Sequence, residues 1–182
     1  MFTDLTLEVT PKMRSDAAGR DQMIGNGHIG THFDVMDREF PLEYARRRGM
    51  IFDVSSVNER DIACEDIDLR EVKEGMFIGF YSGFAETAGY GTEEYHHRHP
   101  QLSLALIDEL LRRKIALIGI DFAGIRRGKE HTPVDQHCAD HGVFVVENLC
   151  HLNEVIGSCT VYTFPVRFSG LSGLPCRVMA ER

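Results

Sequence analysis

The segment His28-Ile29-Gly30-Thr31-His32-Phe33-Asp34 gathers two imidazoles and a carboxylate within seven residues, ligands of types that zinc, manganese and iron accept. Backbone conformation decides whether they can converge. On a helix His28 and His32 share a face, but Asp34, two residues on, points about 200° away from His32. On a strand all three share a face, yet at about 3.3 Å per residue a straight backbone holds the two histidines roughly 13 Å apart. A bend is required, and Gly30 supplies it. A divalent ion there would draw the pKa of bound water toward neutrality and polarise a carbonyl oxygen, so that hydroxide attacks an amide or ester carbon. The overlapping Gly25-Asn-Gly27-His-Ile-Gly30 satisfies G-x-G-x-x-G formally. Polar residues precede it and no helical pattern follows, so it is rejected as a dinucleotide phosphate loop.

A second constellation runs from Asp121 to Leu149. Asp135 on a predicted helix and Glu147 at the end of the strand VFVVE are separated by a turn at Gly142, so both carboxylates can fold back toward one crevice at the strand ends. Asp135 alone reads as a surface aspartate. Glu147 directly follows an apolar strand, where an unpaired carboxylate is costly. Cys138 and Cys150 lie nearby and offer a thiolate nucleophile or, more simply, small buried hydrophobes.

The elements that must position these groups follow from apolar periodicity. Extended runs are predicted at Phe2 to Val9, Ile29 to Val35, Met50 to Val54, Met76 to Phe80, Ile115 to Ile120, Val143 to Glu147 and Cys159 to Phe164. Helices are predicted at Pro41 to Arg48, Leu102 to Lys114, Thr132 to Asp140 with Pro133 at the first helical position, and around Leu152 to Ile156. Gly83 to Gly91 and Ser169 to Gly173 read as loops. Alternating strands and helices imply an α/β fold, and the unalternating run IALIGID reads as a strand buried on both faces.

Composition narrows the function classes. The 182 residues suit one domain. Twenty basic against 28 acidic residues, interleaved for a net charge of −8, argue against a nucleic-acid partner. No apolar run reaches the 18 or so residues that span a bilayer, so no membrane partner is expected. The acidic N-terminal stretch does not resemble a signal peptide. Five cysteines without a C-x-x-C pair fit a reducing compartment, and a cytoplasmic location is expected.

Asp4-Leu5-Thr6, His28-x-Gly30-Thr31-His32-x-Asp34, the helix and strand ending in Gly119-Ile120-Asp121, and Gly142-Val143-x-x-x-x-Glu147-Asn148-Leu149 occur in order over nearly the whole chain. Together they resemble the cyclase family of metal-dependent hydrolases, which includes bacterial kynurenine formamidases. The resemblance implies a single compact α/β domain over residues 1–182, with mixed, barrel-like strands and helices packed outside. It implies one or two divalent ions, zinc or manganese, with His28, His32 and Asp34 as ligands and Glu147 as a later ligand. It also implies assembly as a homodimer or homotetramer, an expectation that the apolar Val178-Met179-Ala180 near the C-terminus strengthens.

Two departures stand out. Where the family has a further histidine ligand twelve residues before the glutamate, this chain has Asp135, which favours harder metals such as manganese or magnesium. Where the family carries its acid–base histidine, this chain has Arg38, which stays protonated and suits an anionic substrate group or a developing oxyanion instead. His99 and His131, each in a predicted loop beside a helix start, are the preferred replacements among His96, His97, His99, His131, His137 and His141. The leading reading is a metal-dependent hydrolase that cleaves a formamide-type amide, or a cyclic amide or ester, in a small-molecule substrate. The alternatives are a metal-binding small-molecule binder or a lyase on the same fold, and a purely structural role for the His and Asp cluster. Phe33, Phe122 and Tyr95 serve equally well as pocket lining or core filling.

Overall fold

Strands that lack alternation become the centre of a closed, two-layered sheet. The structure is a computed structural model that describes residues 1–16, 25–57 and 59–182. Its elements, in order, are β1 (Phe2–Asp4), α1 (Pro11–Asp16), β2 (His32–Asp34), β3 (Arg46–Asp53), β4 (Phe77–Tyr81), α2 (Phe84–Ala88), α3 (Glu93–Arg98), α4 (Leu104–Arg112), β5 (Leu117–Ile120), α5 (His131–Asp140), β6 (Phe144–Glu147), β7 (Gly157–Pro165) and β8 (Gly173–Glu181). The sheet order is β1-β8-β2-β6-β5-β4-β3-β7, and β7 pairs again with β8, which closes seven strands into a mixed barrel with β1 alongside β8. β3, β4, β5 and β6 run parallel, and the remaining pairings are antiparallel. The expected barrel-like α/β domain is what forms.

Period-two alternation divides the apolar residues between two cores. Phe33, Ile51, Phe77, Leu117, Val146 and Val178 fill the barrel interior. Ile78, Phe80, Ile118, Ile120 and Val145, on the opposite faces of the same strands, pack under Leu106, Ile107 and Leu110 of α4. The interior is narrow, so two strand positions must be glycine. A Cβ on Gly79 would lie 2.5 Å from Ile51 Cδ1, and one on Gly119 would collide with the Phe77 ring.

Three expectations are corrected. The predicted helix Pro41 to Arg48 is a single 3-10 turn at Leu42–Ala45, after which the chain enters β3 at Arg46. Pairing of Arg46 to Ile51 with β7 overrides the helical pattern, and Arg47 lies over the Tyr44 ring, 4.7 Å from its centroid. The predicted loop Gly83 to Gly91 contains α2, entered through Gly83 at φ 72°. The C-terminal stretch is the long strand β8, whose Val178 and Ala180 are buried inside the barrel. Those two residues therefore give no reason for a partner subunit.

Candidate metal centre

β2 is only three residues long, but its register fixes the chemistry. His32 stands opposite Glu147 and Asp34 opposite Val145, so His32, Asp34 and Glu147 share the outer face, while Phe33 turns inward against Phe40. α5 packs beside β6 on that face and contributes Asp135, with His131 one turn earlier. Glycines at positive φ, Gly27 at 86° and Gly30 at 61°, turn the preceding segment back on itself, as the spacing required. His28 Nδ1 thereby comes within 3.1 Å of His32 Nε2 and 2.9 Å of Asp34 Oδ1.

The groups converge further. His32 Nε2 lies 3.6 Å from Asp34 Oδ1 and 3.5 Å from Glu147 Oε2. His131 Nε2 lies 3.2 Å from Asp135 Oδ2 and 3.6 Å from Glu147 Oε1. Among the described residues, two sets of three have ligand atoms within 4.8 Å of one another: His28, His32 and Asp34, and Asp34, His131 and Asp135. Asp34 belongs to both, and Glu147 touches a histidine of each. The expected metal residues His28, His32, Asp34, Asp135 and Glu147 are thus brought together, and His131, proposed as an acid–base group, joins them.

Electrostatics show what the cluster lacks. Asp34, Asp135 and Glu147 are buried; Asp34 Oδ2, Asp135 Oδ1 and Glu147 Oε1 have no hydrogen-bond partner, and Asp34 Oδ1 faces only the His28 and His32 ring nitrogens. Burial pushes Glu147 well above the usual carboxylate range, and the neighbouring Asp34 and Asp135 charges push it further. Burial and Asp34 do the same to Asp135. Burial also acts against ionisation of Asp34, but the His28 and His32 rings, when a proton sits on the nitrogen facing it, outweigh burial and hold that carboxyl well below its ordinary range. Orphaned buried carboxylate oxygens are rare and demand a partner. Oxygen and imidazole donors aimed at one point fit a divalent cation.

Supporting contacts fix the ligands. His32 Nδ1 donates to Gly30 O at 2.9 Å, which leaves Nε2 with its lone pair toward the cluster. Asn148, at φ 60°, donates from Nδ2 to the same carbonyl and accepts at Oδ1 from the Tyr95 hydroxyl at 2.8 Å. Thr31 Oγ1 donates to Asn148 O, which ties the bent segment to the end of β6. The sequence reading had Asn148 only as part of a motif and Tyr95 only as pocket or core. Their partners lie tens of residues away, so no local spacing announces them.

The other two candidates stand apart. Arg38 is half exposed, with its guanidinium paired to Asp140 at the end of α5 away from His131, and to Asp37 at 3.4 Å. His99 is buried, its ring is stacked on Phe122 at 5.6 Å, and its Nδ1 donates to Pro100 O at 2.7 Å. Burial holds it down at about 4. Neither belongs to a ligand group.

The fold is thus a mixed barrel with an exterior cluster of histidines and carboxylates that could hold a divalent ion. The chain belongs to the Cyclase family, described as "Putative cyclase", whose model matches residues 3–126. No curated protein matches its sequence. Among solved structures it is similar to a "potential metal-dependent hydrolase with cyclase activity", at 21% identity and TM-score 0.77, over 100% of this chain and 98% of that one. It is similar to a "predicted metal-dependent hydrolase" from Bacillus stearothermophilus, at 22% identity and TM-score 0.75, over 99% and 97%. It also resembles isatin hydrolase A from Labrenzia aggregata, at 16% identity and TM-score 0.72, over 98% and 82%. At these identities the likeness is one of fold.

Proposed function

We propose that the protein is a metal-dependent hydrolase that opens a formamide-type amide, or a cyclic amide or ester, in a small molecule. The observation that carries this reading is the convergence of three buried carboxyls, each with an oxygen that no hydrogen bond satisfies, on the imidazole nitrogens of His28, His32 and His131, each of which lies within 4 Å of a carboxylate oxygen. His28, His32 and Asp34 would hold a zinc or manganese ion, with Glu147 completing the set and Asp135 available to a second ion. Bound there, the ion supplies a Lewis acid for a carbonyl oxygen and acidifies water. The hydrolases among the structural neighbours support the reaction class.

The chain's own groups handle the proton. Burial holds His131 below its ordinary value, so the ring is neutral near pH 7, and its backbone partner at Arg126 leaves Nε2 facing Asp135 and Glu147. If His28, His32 and Asp34 held a single ion, His131 Nε2 would be free to take a proton from water and return it to the leaving nitrogen of an amide or oxygen of an ester, help worth about 10²- to 10⁴-fold. A second ion on Asp34, His131 and Asp135 would occupy that nitrogen. Metal stoichiometry therefore separates the one-ion and two-ion arrangements.

The test is metal content by mass spectrometry for protein purified without chelator and for His32→Ala, followed by turnover on formamides, lactams and lactones. Bound zinc or manganese in the wild type, loss in His32→Ala, and metal-dependent turnover on one substrate class are expected. Equal, near-zero metal in both proteins overturns the reading. Because protons compete with metal for the ligand atoms, metal affinity is expected to fall as pH is lowered.

The same proposal places the enzyme in the cytoplasm as a homodimer or homotetramer. Support comes from five cysteines that are all unpaired, and from Phe164, Val166 and Phe168, each about half exposed at and just beyond the end of β7. No described helix is long and apolar enough to cross a membrane.

A further inference from the structure

His28 is the least enclosed of the three first ligands. Its side chain is 21% exposed, against 3% for His32 and 1% for Asp34. The ring of His32 is oriented by a carbonyl of its own segment, Gly30 O. The hydrogen bond that orients His28 comes instead from the far end of the chain, where Ser172 Oγ lies 2.9 Å from His28 Nε2 across 144 residues. Ser172 immediately precedes β8 and lies outside the residues matched by the family model.

The corner that carries this hydroxyl is gripped from both sides of the metal-binding segment. Ser172 O accepts the backbone N–H groups of Val35 at 2.9 Å and Met36 at 3.0 Å, and Gly173 N–H donates to Asn26 O at 2.9 Å. Met36 adopts a left-handed φ of 57°, which turns its N–H back to the same carbonyl as Val35. Gly27 and Gly173 pass so closely that a Cβ on Gly27 would collide with Gly173 O. A hydroxyl mounted on this corner has little freedom to leave His28.

We propose that Ser172 is a positioning residue for the metal centre. By accepting the Nε2–H of His28, it keeps the ring turned so that Nδ1 presents its lone pair beside His32 Nε2 and Asp34 Oδ1. The proposal rests on the metal-binding reading above and extends the centre to the C-terminal strand. The partner of one imidazole nitrogen sets which nitrogen binds metal and how the ring is aimed. Removing such a partner lowers metal affinity by about 10- to 100-fold.

The experiment titrates the chelated full chain with Mn2+ or Zn2+ alone, in competition with a chromogenic chelator, for wild type, Ser172→Ala, Ser172→Thr and His28→Ala. Nitrogen NMR of the His28 ring and thermal melting of the chelated proteins accompany it. Ser172→Ala is expected to bind about 10- to 100-fold more weakly, to melt like the wild type without metal, and to lose the single Nε2–H signature of the ring. Ser172→Thr, which keeps the hydroxyl, recovers the affinity. Tight binding by Ser172→Ala together with weakened binding by His28→Ala overturns this proposal and leaves the metal centre standing. A wild type that binds neither ion overturns both. A chelated Ser172→Ala protein that melts lower, with no recovery of affinity in Ser172→Thr, shows a packing role only and also overturns it.

Discussion

His99 gives the sharpest test of the electrostatic picture, because it lies outside both ligand groups and its ordinary and buried values are far apart. Burial lowers the imidazole from 6.5 to about 4, so the folded ring stays neutral while the unfolded ring takes a proton below pH 6.5. A depressed base of this kind loses stability as pH falls from 6.5 toward 4, at about 1.36 kcal/mol per pH unit, or about 3 kcal/mol by pH 4. The perturbation is His99→Phe, which preserves an aromatic face against Phe122 but leaves Pro100 O without its donor. Losing that bond costs about 1 kcal/mol, so the variant is less stable than the wild type at pH 7. It carries no proton-linked loss, so the two stabilities cross near pH 6, and by pH 4 the variant leads by about 2 kcal/mol. Urea denaturation of both chelated proteins at pH 7, 5.5 and 4 measures the crossing. Stabilities that run parallel from pH 7 to 4 would refute the buried-neutral assignment.

Two further outcomes follow from where side chains lie. Arg38→Ala and Arg38→His are expected to keep metal affinity and turnover within about twofold of the wild type, since the guanidinium pairs with Asp140 and Asp37 at the surface; a tenfold change in kcat/KM would place Arg38 at the site after all. Light scattering at micromolar concentration is expected to give at least twice the 20.6 kDa chain mass, with Phe164→Ser and Phe168→Ser together lowering it, and a wild-type mass near 20.6 kDa refutes the assembly.

The parallel centre of the barrel was legible because Ile115 to Ile120 and Val143 to Glu147 are continuous apolar runs, as strands covered on both faces must be. β8 was not read, although Leu174, Cys176, Val178 and Ala180 alternate correctly. The run is broken by Pro175 and Arg177 and opens beside glycines, so the period-two signal is weak against a loop background. Only the second half of β3 was read, as Met50 to Val54; its start was hidden by Arg46, Arg47 and Arg48, three cations where a strand normally shows apolar residues. Arg46 and Arg48 face solvent, and the half-buried Arg47 lays its guanidinium over the Tyr44 ring, so the strand accommodates all three cations.

The site divides along the same physical line. His28, His32 and Asp34 were legible because a local bend alone decides their convergence, and Gly30 is within the motif. Glu147 was legible because a carboxylate on an apolar strand needs a reason to be there. His131 was read as a proton carrier beside a helix, while its spacing from Asp135 already held the better signal. Residues four apart on one helix share a face, so a histidine and an aspartate at that spacing on α5 present two ligands together. Ser172 and Tyr95 left no such trace, because each meets its partner only once the barrel has closed. The side chains that aim the ligands are therefore set by strand order rather than by motif, and the motif identifies the centre without revealing what holds it in shape.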